Sequence, residues 1–142
     1  MDNLFKHSLP IQLRFNDADT LGHINNAVYL NFYDLGKTSY FQTICGETVQ
    51  PSDIDVVVAH LDVDFLSPIF LTDTVEVQTM VEKIGTKSFT LLQRIVRSDT
   101  NEVKCVCRTV MVGFDFKTNS SKPISDKWRT AIVRFEGRND LK

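Results

Sequence analysis

Between Arg14 and Tyr29 the chain gathers an unusual density of reactive side chains: Asp17, Asp19, Gly22, His23, Asn25 and Asn26. Two carboxylates, a histidine and two carboxamides stand just ahead of a long apolar stretch that begins at about Asn25. If that stretch is a helix, its first turn offers free backbone N–H groups and the positive end of the helix dipole. Both stabilise negative charge developing on an oxygen. A carboxylate held beside such amides can attack a carbonyl carbon or activate a water to do so. The same residues also have purely architectural uses. Asp17 suits a turn or cap that pairs with Arg14, and Asn25 and Asn26 suit helix capping.

The elements that must position these groups are legible on either side. Leu9 to Phe15 alternates in part, with Ile11, Leu13 and Phe15 on one side and Gln12 and Arg14 on the other, and reads as a strand. The segment from Asn25 to Cys45 reads as one helix, stopped by Gly46. Tyr29, Tyr33, Gly36, Tyr40 and Ile44 recur along it at near-helical spacing, while Val28, Leu30, Phe32, Leu35 and Phe41 fill the rest. Apolar nearly all round, it is expected to be buried, with Gly36 permitting close backbone contact.

From Asp55 onward the period changes to two. Strands are expected at Asp55–Phe65, around Val75–Val81, at Ser88–Arg97 and at Val103–Phe116, with turns at Ile84–Lys87 and Asp99–Glu102. In the last strand Val106, Val110, Val112, Phe114 and Phe116 share one side. A short helix from Ser125, as N-cap, to Phe135 would pack down Trp128 and Ile132. One strand, one long helix and then consecutive antiparallel strands are satisfied by an α+β domain in which a single sheet wraps the helix.

The 142 residues, 42% hydrophobic and 24% charged, describe one ordinary globular domain, long enough to build its core without disulfides or metal. Sixteen Lys+Arg against eighteen Asp+Glu, with no basic run, lack the footprint of a nucleic-acid binder. Three cysteines, Cys45, Cys105 and Cys107, form no scaffold spacing and fit a reducing compartment. No leader-like apolar run opens the sequence and no stretch is long enough for a membrane span, so the cytoplasm is expected. A calcium loop fails: Asp17, Asp19 and Gly22 match positions one, three and six, but Leu21 and Val28 stand where ligands are needed. Cys105 and Cys107 without a second ligand pair point to packing, not zinc, and no G-x-S-x-G elbow is present.

The pattern R-x-x-D-x-D-x-x-G-H-x-N-N-x-x-Y, carried by Arg14, Asp17, Asp19, Gly22, His23, Asn25, Asn26 and Tyr29, resembles the signature of the 4-hydroxybenzoyl-CoA thioesterase-like acyl-CoA thioesterases. Asp64–Pro68, Asp73–Val77 and Ile84–Ser88 resemble that family's later strands, so the likeness covers nearly the whole chain. It implies a hotdog fold over residues 1–142: an antiparallel sheet of about five strands around one long central helix, at about Asn26 to Cys45. It implies an enzyme that hydrolyses an acyl or aryl thioester to free acid and coenzyme A thiol. Asp19 would be the catalytic carboxylate, as nucleophile or general base, with His23 and Asn25 as further catalytic or orienting groups. The backbone N–H groups of Asn26 and Ala27 would form the oxyanion hole. Tyr29, Tyr33, Lys87 and Ser88 are the substrate-binding candidates.

Some positions depart from the family pattern. Asp34 stands where relatives often carry Glu, Lys37 where Arg is usual, and Leu21 where plant acyl-carrier-protein thioesterases place Asn. By the same resemblance the substrate is an acyl-CoA or acyl-carrier-protein thioester, no metal or cofactor is needed beyond the substrate's coenzyme A, and the chain assembles as a homodimer or homotetramer. The alternatives are a domain that binds acyl thioesters without turnover, and a dehydratase-like enzyme.

Overall fold

A computed structural model of the chain describes residues 5–46 and 55–141. The first four residues, part of the opening stretch read above for a leader, lie outside the described residues. The elements in chain order are β1 (His7–Ile11), α1 (Asn26–Cys45), β2 (Val56–Phe65), β3 (Val75–Ile84), β4 (Ser88–Arg97), β5 (Val103–Asp115), β6 (Ser120–Ser121) and α2 (Asp126–Glu136). One-turn 3-10 segments lie at Phe15–Asp17 and Asn139–Leu141. Every strand pairing is antiparallel, in the order β1-β3-β4-β5-β2, with β6 a two-residue addition beside β5. The architecture is thus α+β as expected, with a sixth, very short strand.

Helix α1 keeps the expected bounds, with Asn25 as N-cap and Gly46 as a left-handed C-cap at φ 71°. Its burial is one-sided. Tyr29, Phe32, Tyr33, Gly36 and Tyr40 face inward, whereas Leu30 and Leu35 are 40% and 55% exposed. The expectation of a helix buried all round is therefore corrected: apolar residues populate both faces, and the sheet covers only one.

At the contact, a Cβ on Gly36 would sit 2.6 Å from Val77 Cγ1 and 3.1 Å from Gln93 Nε2. Alanine there would gain about 1 kcal/mol in helix propensity and lose about 1–3 kcal/mol to overpacking against a β-branched strand residue that cannot swing away. Buried Gln93 ties the layers together, donating to the Tyr33 carbonyl and to Thr79 Oγ1, both at 3.0 Å.

One other expectation is corrected. The first strand is His7–Ile11 and not Leu9–Phe15; it pairs with Val75–Thr79, and the chain then leaves the sheet for the 3-10 turn, with Phe15 85% exposed. The cause is Asp17, whose carboxylate draws Arg14 back upon it. In β5 the face packed inward is the one carrying Cys105, Cys107, Thr109 and Met111; the face carrying Val106, Val110, Val112 and Phe114 is only half-buried.

Helix α2 starts as expected and ends one residue beyond Phe135. It is capped by Ser125, whose Oγ accepts from Trp128 N at 3.3 Å, and it buries Trp128 and Ile132 as anticipated. It ends in a buried Glu136 whose Oε2 accepts from the Tyr40 hydroxyl at 2.5 Å and from Val81 N at 3.2 Å. Burial pushes the Glu136 carboxyl up from its ordinary value. Among the described residues no helix is long and apolar enough to cross a membrane.

Candidate active site

The loop between the 3-10 turn and α1 closes on itself. Asp17 is almost fully buried and takes Arg14 N at 2.9 Å and the Arg14 guanidinium at 2.9 Å. Those hydrogen bonds, aided by the guanidinium charge, hold its carboxyl below the usual range. Its carbonyl accepts from Asn25 N at 2.8 Å, which sets the entry to the helix. The sequence expectation of a turn residue paired with Arg14 is what the geometry has.

Asp19 sits in the next turn and is solvent-exposed. Its N–H donates to the His23 carbonyl at 2.7 Å, its carbonyl accepts from Gly22 N at 3.1 Å, and Ala18 bridges Ile24. Gly22 closes this turn at φ +81°, a conformation glycine adopts freely. The Asp19 carboxylate is pinned by one oxygen only: Oδ1 accepts from Leu21 N at 2.9 Å and from His23 N at 3.2 Å. Among the described residues nothing donates to Oδ2.

The carboxylate opens into a cleft of about 520 Å³ lined by Asp19, His23, Ile24, Asn25, Asn26 and Tyr29 on one side, and by the Phe65–Pro68 corner on the other. The two walls are stitched together: Ile24 N donates to the Ile69 carbonyl at 2.8 Å, and His23 bridges Phe70, their rings edge-to-face at 4.9 Å. Tyr29 packs its ring edge-to-face on Phe65 at 5.1 Å. Burial raises the Tyr29 phenol above its ordinary value.

The helix head differs from expectation in one amide. Asn25 Oδ1 accepts from Ala27 N at 3.0 Å, which commits the Ala27 donor to capping. The Asn26 N–H has no hydrogen-bond acceptor among the described residues. Three other expected residues lie elsewhere. Tyr33, one turn beyond Tyr29, is 2% exposed in the core beside Cys105 and Cys107, not in the cleft. Burial there lifts the Cys105 thiol to about 11 and the Cys107 thiol upward as well, making both inert packing groups.

Lys87 and Ser88 do not reach the cleft of their own chain. Ser88 pairs with Val112, while the cleft's corner is tied to Lys104 near the start of β5. Seven residues of strand between Cys105 and Val112 span roughly 23 Å. The Phe65–Pro68 wall was visible in the sequence only as a strand end followed by Ser-Pro, with no chemistry to mark it.

Fold and site together define a class: an α+β domain whose helix head and an adjoining carboxylate open into a cleft against the rim of an antiparallel sheet. The chain belongs to the thioesterase-like superfamily, which it matches over residues 13–132. It is similar to the acyl-CoA thioesterase YbgC of Haemophilus influenzae, 28% identical over 115 residues that cover 75% of this chain and 83% of that protein. Among solved structures it resembles a thioesterase from Thermus thermophilus complexed with coenzyme A and Zn, with a TM-score of 0.82 and 30% identity over 95% of this chain and 97% of the other. A predicted thioesterase from Bacillus stearothermophilus has a TM-score of 0.81 and 26% identity, covering 90% and 94% of the two chains.

Proposed function

We propose that this chain is an acyl-CoA thioesterase in which Asp19 supplies the reacting carboxylate and the Asn26 amide receives the carbonyl oxygen. The observation that carries this reading is the half-pinned carboxylate: two amides fix Asp19 Oδ1, no described residue donates to Oδ2, and Asp19 lines the cleft at the helix head. A thioester carbonyl is already electrophilic because sulfur donates poorly into it. A carboxylate and one or two oriented amides are therefore sufficient, and the reading draws on no cofactor other than the coenzyme A of the substrate. Attack by Asp19 gives an anhydride that water opens; activation of water by Asp19 gives the acid directly. In either route charge grows on the carbonyl oxygen, where one oriented donor is worth about 3–4 kcal/mol. Asn25 orients the helix head as its cap, and His23, held against Phe70, shapes the wall. The reading extends to the whole chain as one hotdog domain around α1, acting in the cytoplasm as a homodimer or homotetramer.

Release of free thiol from a panel of alkyl- and aryl-CoA esters tests the activity. Asp19→Asn is expected to lower kcat by about 10²-fold or more while circular dichroism stays unchanged. Asp34 is the competing carboxylate; it lies exposed on α1, 3.4 Å from Lys37, on a different groove. Near-wild-type turnover in Asp19→Asn, with loss of turnover in Asp34→Asn, overturns the assignment. Tight binding of every ester without thiol release would make the domain a binder and not a hydrolase.

A further inference from the structure

Lys104 is 4% exposed, a burial that an ammonium tolerates only when acceptors surround it. Here they do. Its Nζ donates to the Pro68 carbonyl at 3.0 Å and lies 3.3 Å from Glu102 Oε1 and 3.8 Å from Asp73 Oδ2. Its backbone carbonyl accepts from Leu66 N at 2.9 Å and from Ser67 N at 3.1 Å. Asp73 Oδ2 in turn accepts from Phe70 N at 2.9 Å. One residue thus gathers the whole corner between β2 and β3.

A β-bulge puts it there. On β4, Ile95 pairs with Cys105 and Val96 with Val103, so Lys104 is the extra residue and is turned out of the regular pleat. The corner it gathers is the far wall of the cleft, and that wall holds the near one through the Ile24–Ile69 and His23–Phe70 links.

We propose that Lys104 is a positioning residue: its buried ammonium fixes the Leu66–Asp73 corner and, through those two links, the loop that carries Asp19. The proposal rests on the thioesterase reading for its effect on turnover, but not for its effect on the corner. Packing alone would be served by methionine, so Lys104→Met separates charge from bulk, and Lys104→Arg keeps the charge.

Hydrogen–deuterium exchange and steady-state kinetics on the full-length protein decide it. In Lys104→Met the amides of residues 66–73 and 19–25 are expected to exchange at least 10-fold faster, with the β3–β4 hairpin unchanged. The variant's kcat is expected to fall at least 10-fold with a smaller change in KM, because alignment and not contact area is lost. Lys104→Arg is expected to recover most of both. The proposal is overturned if Lys104→Met stays within two-fold of wild type in both measurements, if exchange rises uniformly across the sheet, or if arginine does no better than methionine. Should Lys104→Met not fold, Asp73→Asn carries the same comparison. If the wild-type protein releases thiol from no ester, the thioesterase reading fails alone, and the exchange pattern still decides whether Lys104 holds the corner.

Discussion

Asp17 and Asp19 are the same residue type two positions apart, and hydrogen bonding separates their uses. Arg14 saturates the first, whereas the second keeps one oxygen uncommitted. The donor side of the site can be tested as narrowly. Asn26 is the first residue of α1, where proline removes an N–H without breaking the helix, and Asn25, at φ −62° and ψ 134°, already has the extended backbone that precedes proline. Asn26→Pro is therefore expected to keep its Tm and lose about 10²–10³-fold in kcat. A kcat within a few-fold of wild type would move the oxyanion contact elsewhere. The spacing of Asp17, Asp19, Gly22 and His23 before a helix made this corner of the molecule legible in the sequence. Asn25 as a helix cap was legible as well; that its side chain would take the Ala27 amide in particular was not, because only the side chain's direction decides it. Tyr29 and Tyr33 show the same limit: helical period puts both on the inward face, but only packing decides which meets the cleft and which meets Cys105.

At the scale of elements, periodicity located every long helix and strand and erred at ends and faces. β1 ended early because the Arg14–Asp17 turn competed with the ladder. In β5 alternation put Val106, Val110, Val112 and Phe114 on one face, but it is the other face, with Cys105, Cys107, Thr109 and Met111, that meets the core. The docking of α2 also has a pH signature. Glu136 is buried against Tyr40 and Val81, and its carboxyl is raised above its ordinary value by that burial. A raised carboxyl stabilises the fold fully below the ordinary glutamate value and loses that contribution as pH climbs through the folded one. Nearby His7, edge-to-face with Tyr40 at 5.7 Å, is lowered by burial and works in the opposite sense, weakening the fold as pH falls below the ordinary histidine value. Comparing Glu136→Gln with wild type cancels the histidine. The variant's Tm is expected to gain on wild type as pH rises above the ordinary glutamate value, and a flat difference would show that Glu136 does not titrate differently on folding.

For the whole molecule, the two sheet edges are unequal. β1 carries Pro10, which cannot donate to a neighbouring strand, whereas the outer edge of β2 has no partner strand among the described residues and leaves Val58, Leu61 and Phe65 exposed. Leu30 and Leu35 add an exposed apolar strip on α1. Light scattering at micromolar concentration is expected to give a multiple of 16.2 kDa, and Val58→Lys to lower it. A wild-type mass of one chain would remove the assembly from the proposal. The division of the cleft between two stretches of chain has a consequence of another kind. In the proposed mechanism the reacting groups lie in residues 19–26, a loop and the head of α1 whose hydrogen bonds are mostly their own, while the opposite wall comes from residues 65–68 on the rim of the sheet. Under the proposed mechanism, chemistry and selectivity would thereby sit on separate stretches of chain. On that reading, exchanging Phe65 or Leu66 would change which acyl group fits, longer, shorter or flatter, while the carboxylate and its amides stay as they are.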